Sequence, residues 1–127
     1  MDNTPTAEAL DNLRRLCRWL ELLRAEWNSR YGEGDDPLII NSAYRSAAVN
    51  KAVGGVAMSN HLTGCAADIR VTGIEQLLRY ATLVMDISDE RGKPFDELLL
   101  ERQGRTMWLH FAVRHTGNRR RISICVK

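Results

Sequence analysis

The sequence predicts an α+β domain, with helices packed on one face of a small antiparallel sheet. Three observations predict it. Residues 7 to 30 carry Leu10, Leu13, Leu16, Cys17, Leu20, Leu23 and Trp27 at spacings of three and four, the stripe of an amphipathic helix. A second stripe, Ile74, Leu77, Leu78, Ala81, Val84 and Met85, repeats the pattern later in the chain. The final third breaks into short apolar runs separated by glycine-bearing turns, the signature of strands. At 127 residues the chain is expected to be one domain, spanning 1–127, and long enough to bury roughly two-thirds of its unfolded surface.

Each element has a reason to begin and end. Thr4 or Thr6, with Pro5, starts the first helix, and the loop Tyr31 to Pro37 ends it with two glycines and a proline. Leu38-Ile39-Ile40 reads as a short buried strand closing at Asn41-Ser42. A second helix is expected from about Ser46 to Val53, stopped by Gly54-Gly55. The segment around His61 reads as loop, because Ser, Asn, Thr and Gly in quick succession favour neither helix nor strand. Ala67 to Val71 resumes as a strand, and Gly73 to about Asp89 is the third helix, stopped by Gly92 and Pro94. Phe95 to Glu101, Thr106 to Val113 and Arg120 to Val126 are the closing strands. With turns at Gln103-Gly104-Arg105 and Thr116-Gly117-Asn118, they are expected to form an antiparallel meander.

Composition narrows the function classes. The apolar share of 44% and charged share of 27% are those of an ordinary globular protein, and a net charge of +2 gives no reason to expect a nucleic-acid partner. Cys17, Cys65 and Cys125 are too few and too scattered for a disulfide framework, which fits synthesis in a reducing compartment. The start, Met-Asp-Asn-Thr-Pro, lacks the basic and apolar stretches of a secretory signal, and no apolar run approaches the ~20 residues that span a bilayer. The expectation is a monomer made in the cytoplasm, without membrane insertion, that acts elsewhere only if released.

The segment Ser59 to Asp68, taken with Trp108-Leu109-His110, carries the chemistry. Two imidazoles and one carboxylate are what a catalytic zinc ion needs, with a fourth position left open. His61 and Asp68 are seven residues apart, up to ~23 Å if extended, so the chain must fold back for both to reach one ion. Gly64 allows that reversal. Taken singly, each residue has an ordinary structural reading: a hydrogen-bonded histidine in a strand, or a solvated aspartate at a strand start.

As a set, these residues resemble the zinc D-alanyl-D-alanine carboxypeptidase and endopeptidase family that acts on peptidoglycan. Ser59, His61, Gly64, Ala66 and Asp68 match its Ser-x-His-x6-Asp block, and Trp108 and His110 match its late Trp-x-His motif. Tyr44-Arg45-Ser46, following a strand, matches an upstream family feature. The resemblance covers roughly residues 8 to 114. It implies that His61, Asp68 and His110 ligate Zn2+, that Arg45 faces substrate and that Ser59 orients His61 or meets substrate. A guanidinium suits that role because it grips a carboxylate or carbonyl bidentately.

Many relatives place an acidic residue three positions before the last histidine, where this chain has Met107. A carboxylate to take up the proton is therefore sought on the neighbouring strand, which offers Asp96, Glu97 and Glu101. A four-residue turn at Gln103 to Thr106 would pair Glu101 with Trp108 and set Glu101 diagonal to His110 on one face. A one-residue slip would put Asp96 on that face. Glu101 is the preferred catalytic base and Asp96 the runner-up.

The expected activity is zinc-dependent hydrolysis of peptidoglycan stem peptides, as a D-Ala-D-Ala carboxypeptidase or an endopeptidase, with a phage or prophage lysis enzyme as the setting. The alternative is a catalytically weak or inactive zinc-containing domain that binds cell-wall peptide or a protein partner. His115 and the run Arg119-Arg120-Arg121 read as surface residues, the latter with some capacity to hold an anionic wall polymer. Cys65 reads as a small packing residue, and Trp108 as packing around the ligand strand. Substrate choice is assigned to loops near 31–37, 54–60 and 102–106.

Overall fold

The order of elements in the computed structural model, which describes residues 2–127, is α1 (Ala7–Arg30), β1 (Ile40–Ser42), α2 (Ala47–Ala52), a 3-10 turn (Asn60–Thr63), β2 (Ala66–Arg70), α3 (Ile74–Arg91), β3 (Glu97–Gln103), β4 (Thr106–Ala112) and β5 (Arg121–Val126). Met1, the first residue of the expected single domain, lies outside the described residues. The class is α+β as the sequence predicts, and the five strands form one mixed sheet in the order β1-β2-β4-β3-β5.

Helix α1 starts where Thr6 Oγ1 accepts a hydrogen bond from the Ala9 amide at 3.1 Å. Its buried line is Ala9, Asn12, Leu16, Trp19, Leu23 and Trp27, at spacings of three and four. Leu10 and Cys17, expected on that stripe, are exposed, one residue off the line. Helix α3 buries Leu77, Tyr80, Ala81, Val84 and Ile87, while Ile74 and Leu78 at its start stay exposed beyond the sheet. Trp19 packs on Phe95 and Phe111 with ring centroids 6.4 and 5.4 Å away, which joins α1 to the sheet.

The sheet sorts its side chains by parity. Ala67, Ile69, Leu98, Leu100, Leu109 and Phe111 point to the helices and are buried with them. The opposite face carries Asp68 on β2, His110 on β4, and Glu97 and Glu101 on β3. Strands β3 and β4 pair in the expected register, Glu101 with Trp108 and Arg102 with Met107.

The expected meander fails at its last strand. β5 runs parallel to β3, with Glu97 beside Arg121 and Glu101 beside Cys125. A hairpin from β4 would have placed β5 on the free side of β4, but β2 already occupies that side. The chain instead crosses the start of β3, where the Arg120 and Arg121 amides donate to Phe95 and Asp96 carbonyls at 2.9 and 2.8 Å. Two smaller departures follow from local hydrogen bonding. β1 begins at Ile40 rather than Leu38 and pairs irregularly with β2, and the expected loop around His61 is a 3-10 turn capped by Ser59. All three cysteines are free thiols, as expected.

Candidate metal centre

His61 is placed by its turn. Ser59 Oγ accepts from the His61 amide at 3.1 Å, and Gly64 closes the turn at φ +77°, a left-handed conformation that glycine adopts freely. A Cβ at Gly64 would lie 2.5 Å from the Ala9 carbonyl oxygen, so glycine also permits the close packing of this turn on α1. The segment after β1 is stitched to the same turn: the Arg45 amide donates to the His61 carbonyl at 2.9 Å, and His61 Nδ1 donates to the Ala43 carbonyl at 2.6 Å. A carbonyl only accepts, so His61 carries a proton on Nδ1 and presents Nε2 to Asp68.

Asp68 and His110 face each other across β2 and β4 as direct register partners. His61 Nε2 lies 3.3 Å from Asp68 Oδ1, and His110 Nδ1 lies 3.1 Å from the same oxygen. One donor atom from each of the three residues falls within 4.8 Å of the others. Donors about 2.0–2.1 Å from a tetrahedral zinc ion stand ~3.3 Å apart, so these separations and this nitrogen and oxygen set fit the ion. The two histidines are buried and Asp68 is half-buried, leaving approach from the aspartate side.

Charge is concentrated here. Burial works to raise the Asp68 carboxyl, but hydrogen bonds with His110 and His61 outweigh it and hold that group well below the usual carboxylate range. Burial likewise works to lower His110, yet its bonds to Asp68 and Glu97 push it up to about 9. The far nitrogen of His110, Nε2, lies 3.0 Å from Glu97 Oε1. The hydrogen bond from His110 is the chief reason that Glu97 titrates below its ordinary range.

The remaining candidates are scattered around this centre. The Arg45 side chain is half-buried, and its Nε is buried without a hydrogen-bond partner among the described residues. Glu101 is buried on the face of His110 beside Trp108, with Lys127 Nζ 3.8 Å from its Oε1. Met107 points to the opposite face and packs against the core. An acidic side chain at that position of this strand would point to the face opposite His110.

Asp96 is fully buried and committed elsewhere. Its two oxygens accept from the Arg119 amide, from Arg119 Nε and Nη2, and from Asn60 Nδ2 at 2.8–3.0 Å, and Arg114 Nε lies 3.2 Å away. That engagement argues against Asp96, the runner-up, as the base: both of its oxygens are taken up by Arg119, Asn60 and Arg114. The arginine run is likewise not a free cationic surface. Arg119 pairs with Asp96, Arg120 with Asp89 at 3.0 Å and Arg121 with Glu97 at 3.4 Å. His115 is exposed and meets Arg15 at 3.1 Å on the α1 side, and Cys65 is buried. Sequence reasoning passed over Asn60 and gave Glu97 no role. The register did hold a signal, because Glu97 and Glu101 stand two residues to either side of Leu99, the partner of His110.

The sequence model of the family described as Peptidase M15 matches residues 1–92, a stretch that includes His61 and Asp68 and stops before β3. No curated protein matches the chain.

Proposed function

Because the chain belongs to the Peptidase M15 family, of the zinc D-alanyl-D-alanine carboxypeptidase type, we propose that it is a zinc metallopeptidase hydrolysing peptidoglycan stem peptides. The observation that carries this reading is the convergence of His61 Nε2, Asp68 Oδ1 and His110 Nδ1, with contacts of 3.3 and 3.1 Å through the shared oxygen. Zinc held by these three residues supplies a Lewis acid for a peptide carbonyl and lowers the pKa of water towards ~7.

The protein's own groups do the rest. Glu101 takes the proton from the attacking water on its carboxylate and returns it to the departing amine. Arg45 holds the substrate, since its backbone is bonded to His61 and its buried Nε has no hydrogen-bond partner among the described residues. A guanidinium there favours a substrate ending in a carboxylate, hence a D,D-carboxypeptidase over an endopeptidase. Ser59 acts by holding the His61 turn. Val53, Val56 and Met58, exposed in the loop leading to Ser59, supply an apolar rim for the peptide. The substrate places the enzyme at the cell wall, and a phage or prophage lysis enzyme is the setting we favour.

Metal analysis and muropeptide hydrolysis test this together. About one zinc per chain is expected, with hydrolysis abolished by a chelator and reduced at least 100-fold in Glu101→Gln, the scale of a lost general base. A refolded protein that takes up no zinc overturns the reading. Zinc without hydrolysis of any wall peptide would favour a binding domain, and full activity in Glu101→Gln would remove that residue from the reaction.

A further inference from the structure

The outward side of His110 is as ordered as the side it turns to the ligands. Glu97 Oε1 receives two contacts, His110 Nε2 at 3.0 Å and Asn60 Nδ2 at 2.6 Å. Its other oxygen, Oε2, faces two guanidiniums, Arg121 at 3.4 Å and Arg119 at 3.7 Å. Asn60 is fully used: its amide nitrogen donates to Glu97 and to Asp96, and its carbonyl oxygen accepts from Arg114 Nε at 3.0 Å. Reversing that amide would set an oxygen against two carboxylates, so only one orientation satisfies the cluster.

We infer that Glu97 is a positioning residue for the metal centre, fixing His110 in the tautomer that carries its proton on Nε2 and offers Nδ1 to the ion. An ionised carboxylate can only accept, so the nitrogen facing it must donate; Asp68 asks the same of Nδ1 only while no ion sits there, so the ion displaces the Nδ1 proton and Glu97 keeps the one on Nε2. The Asn60 amide and two guanidiniums likewise present donors to this carboxyl group, so it is surrounded as an acceptor. A neutral imidazole protonated at Nε2 has its lone pair on Nδ1, the atom 3.1 Å from Asp68. Glu97 thus does for His110 what the Ala43 carbonyl does for His61, and the other nitrogen of each ring lies beside Asp68 Oδ1, at 3.1 and 3.3 Å.

Asn60 makes the two arrangements one. It immediately precedes His61, so its bond to Glu97 ties the turn bearing one imidazole to the strand whose carboxylate orients the other. The metal centre is therefore braced on both sides of the sheet pairing: β2 and β4 present Asp68 and His110, while β3 holds the far nitrogen and the turn.

This inference rests on the zinc reading above, and the test separates the two. Zinc affinity of the full chain is measured by competition with a chromophoric chelator for wild type, Glu97→Ala and Glu97→Gln. Loss of the carboxylate is expected to weaken zinc about 10- to 100-fold. Glu97→Gln should recover most of that loss, because its amide oxygen still accepts from Nε2. Wild type binding no zinc would overturn the zinc reading itself. Zinc binding with equal affinity in Glu97→Ala would overturn this inference alone. Should Glu97→Ala fail to fold, a long-range proton–nitrogen NMR spectrum of zinc-loaded wild type decides the matter without a variant. The expected pattern has His110 protonated at Nε2 and His61 at Nδ1. A proton on His110 Nδ1, or none on Nε2, would overturn the assignment of Glu97.

Discussion

Replacing Asp96 by Asn removes one buried charge while keeping the side chain's volume, and the structure sets the size of the effect. Five donors converge on that carboxylate, three of them from Arg119 and one each from Asn60 and Arg114. Breaking a fully buried pair costs about 3–5 kcal/mol. The Arg119 and Arg114 side chains are 48% and 36% exposed, so they can turn to water, which brings the expectation down to about 2–3 kcal/mol. The depressed Asp96 carboxyl points to a similar figure. Burial works to raise the Asp96 carboxyl, but Arg119 and Asn60 hold it at about 2 against an ordinary 3.8, a difference worth about 2 kcal/mol. For a chain of this length an unfolding entropy of ~270 cal/mol/K makes about 2.5 kcal/mol a loss of ~9 °C in Tm. Scanning calorimetry of wild type and Asp96→Asn at a series of pH values is the assay. A depressed carboxyl contributes stability that is present above 3.8 and lost as pH falls through about 2. The gap between the two proteins should therefore hold from neutral pH down to about 4 and shrink below it. Equal melting at neutral pH, or a gap unchanged below pH 3, would refute the assignment of Asp96 as a structural anion.

Gly64→Ala should lose at least ~2 kcal/mol by denaturant unfolding, since the position sits at φ +77° and the new Cβ would meet the Ala9 carbonyl oxygen. Trp19→Ala should cost about 3–5 kcal/mol in the same assay, because it empties the space beneath Phe95 and Phe111. His110 in the metal-free protein is pushed up to about 9, so its charge stabilises the fold fully below the ordinary 6.5 and is lost as pH rises through 9. Zinc must displace that proton, so calorimetry in buffers of different ionisation heat should show about one proton released per ion near neutral pH. Release of none would contradict the raised value.

Most of the fold was legible because its signals are local. The two helical stripes depend on spacings of three and four within one segment, and the β3–β4 register depends on one four-residue turn. What escaped was the pairing of β5, which is not a property of β5. Ile122, Ile124 and Val126 alternate with polar residues in either direction of pairing, and the outcome turns on β2 having taken the side of β4 that a hairpin would need. The 3-10 turn at His61 escaped for a related reason. Ser59 and Gly64 are turn residues by composition, but their conversion into a capped turn depends on the bonds that Ala43 and Arg45 make from the other side.

The same non-local pairing explains why the choice between carboxylates could not be made from the strand alone. Glu97 and Glu101 are equivalent by register: both lie on the face of His110, two residues to either side of its partner Leu99. Parallel β5 makes them unequal. It starts beside Glu97, bringing Arg121 there while Arg119 arrives from the preceding loop, and it ends beside Glu101, where the last residue, Lys127, lies 3.8 Å away. Asn60 then reaches only the Glu97 end. One glutamate becomes a fixed, doubly bonded acceptor behind His110, and the other keeps a single cation, Lys127. A group that must take up and release a proton cannot be held by two guanidiniums and an amide, whereas a group that must hold a ring still gains from them. The antiparallel meander that local signals favour would have put β5 next to β4, leaving both glutamates without these partners and the two roles undivided.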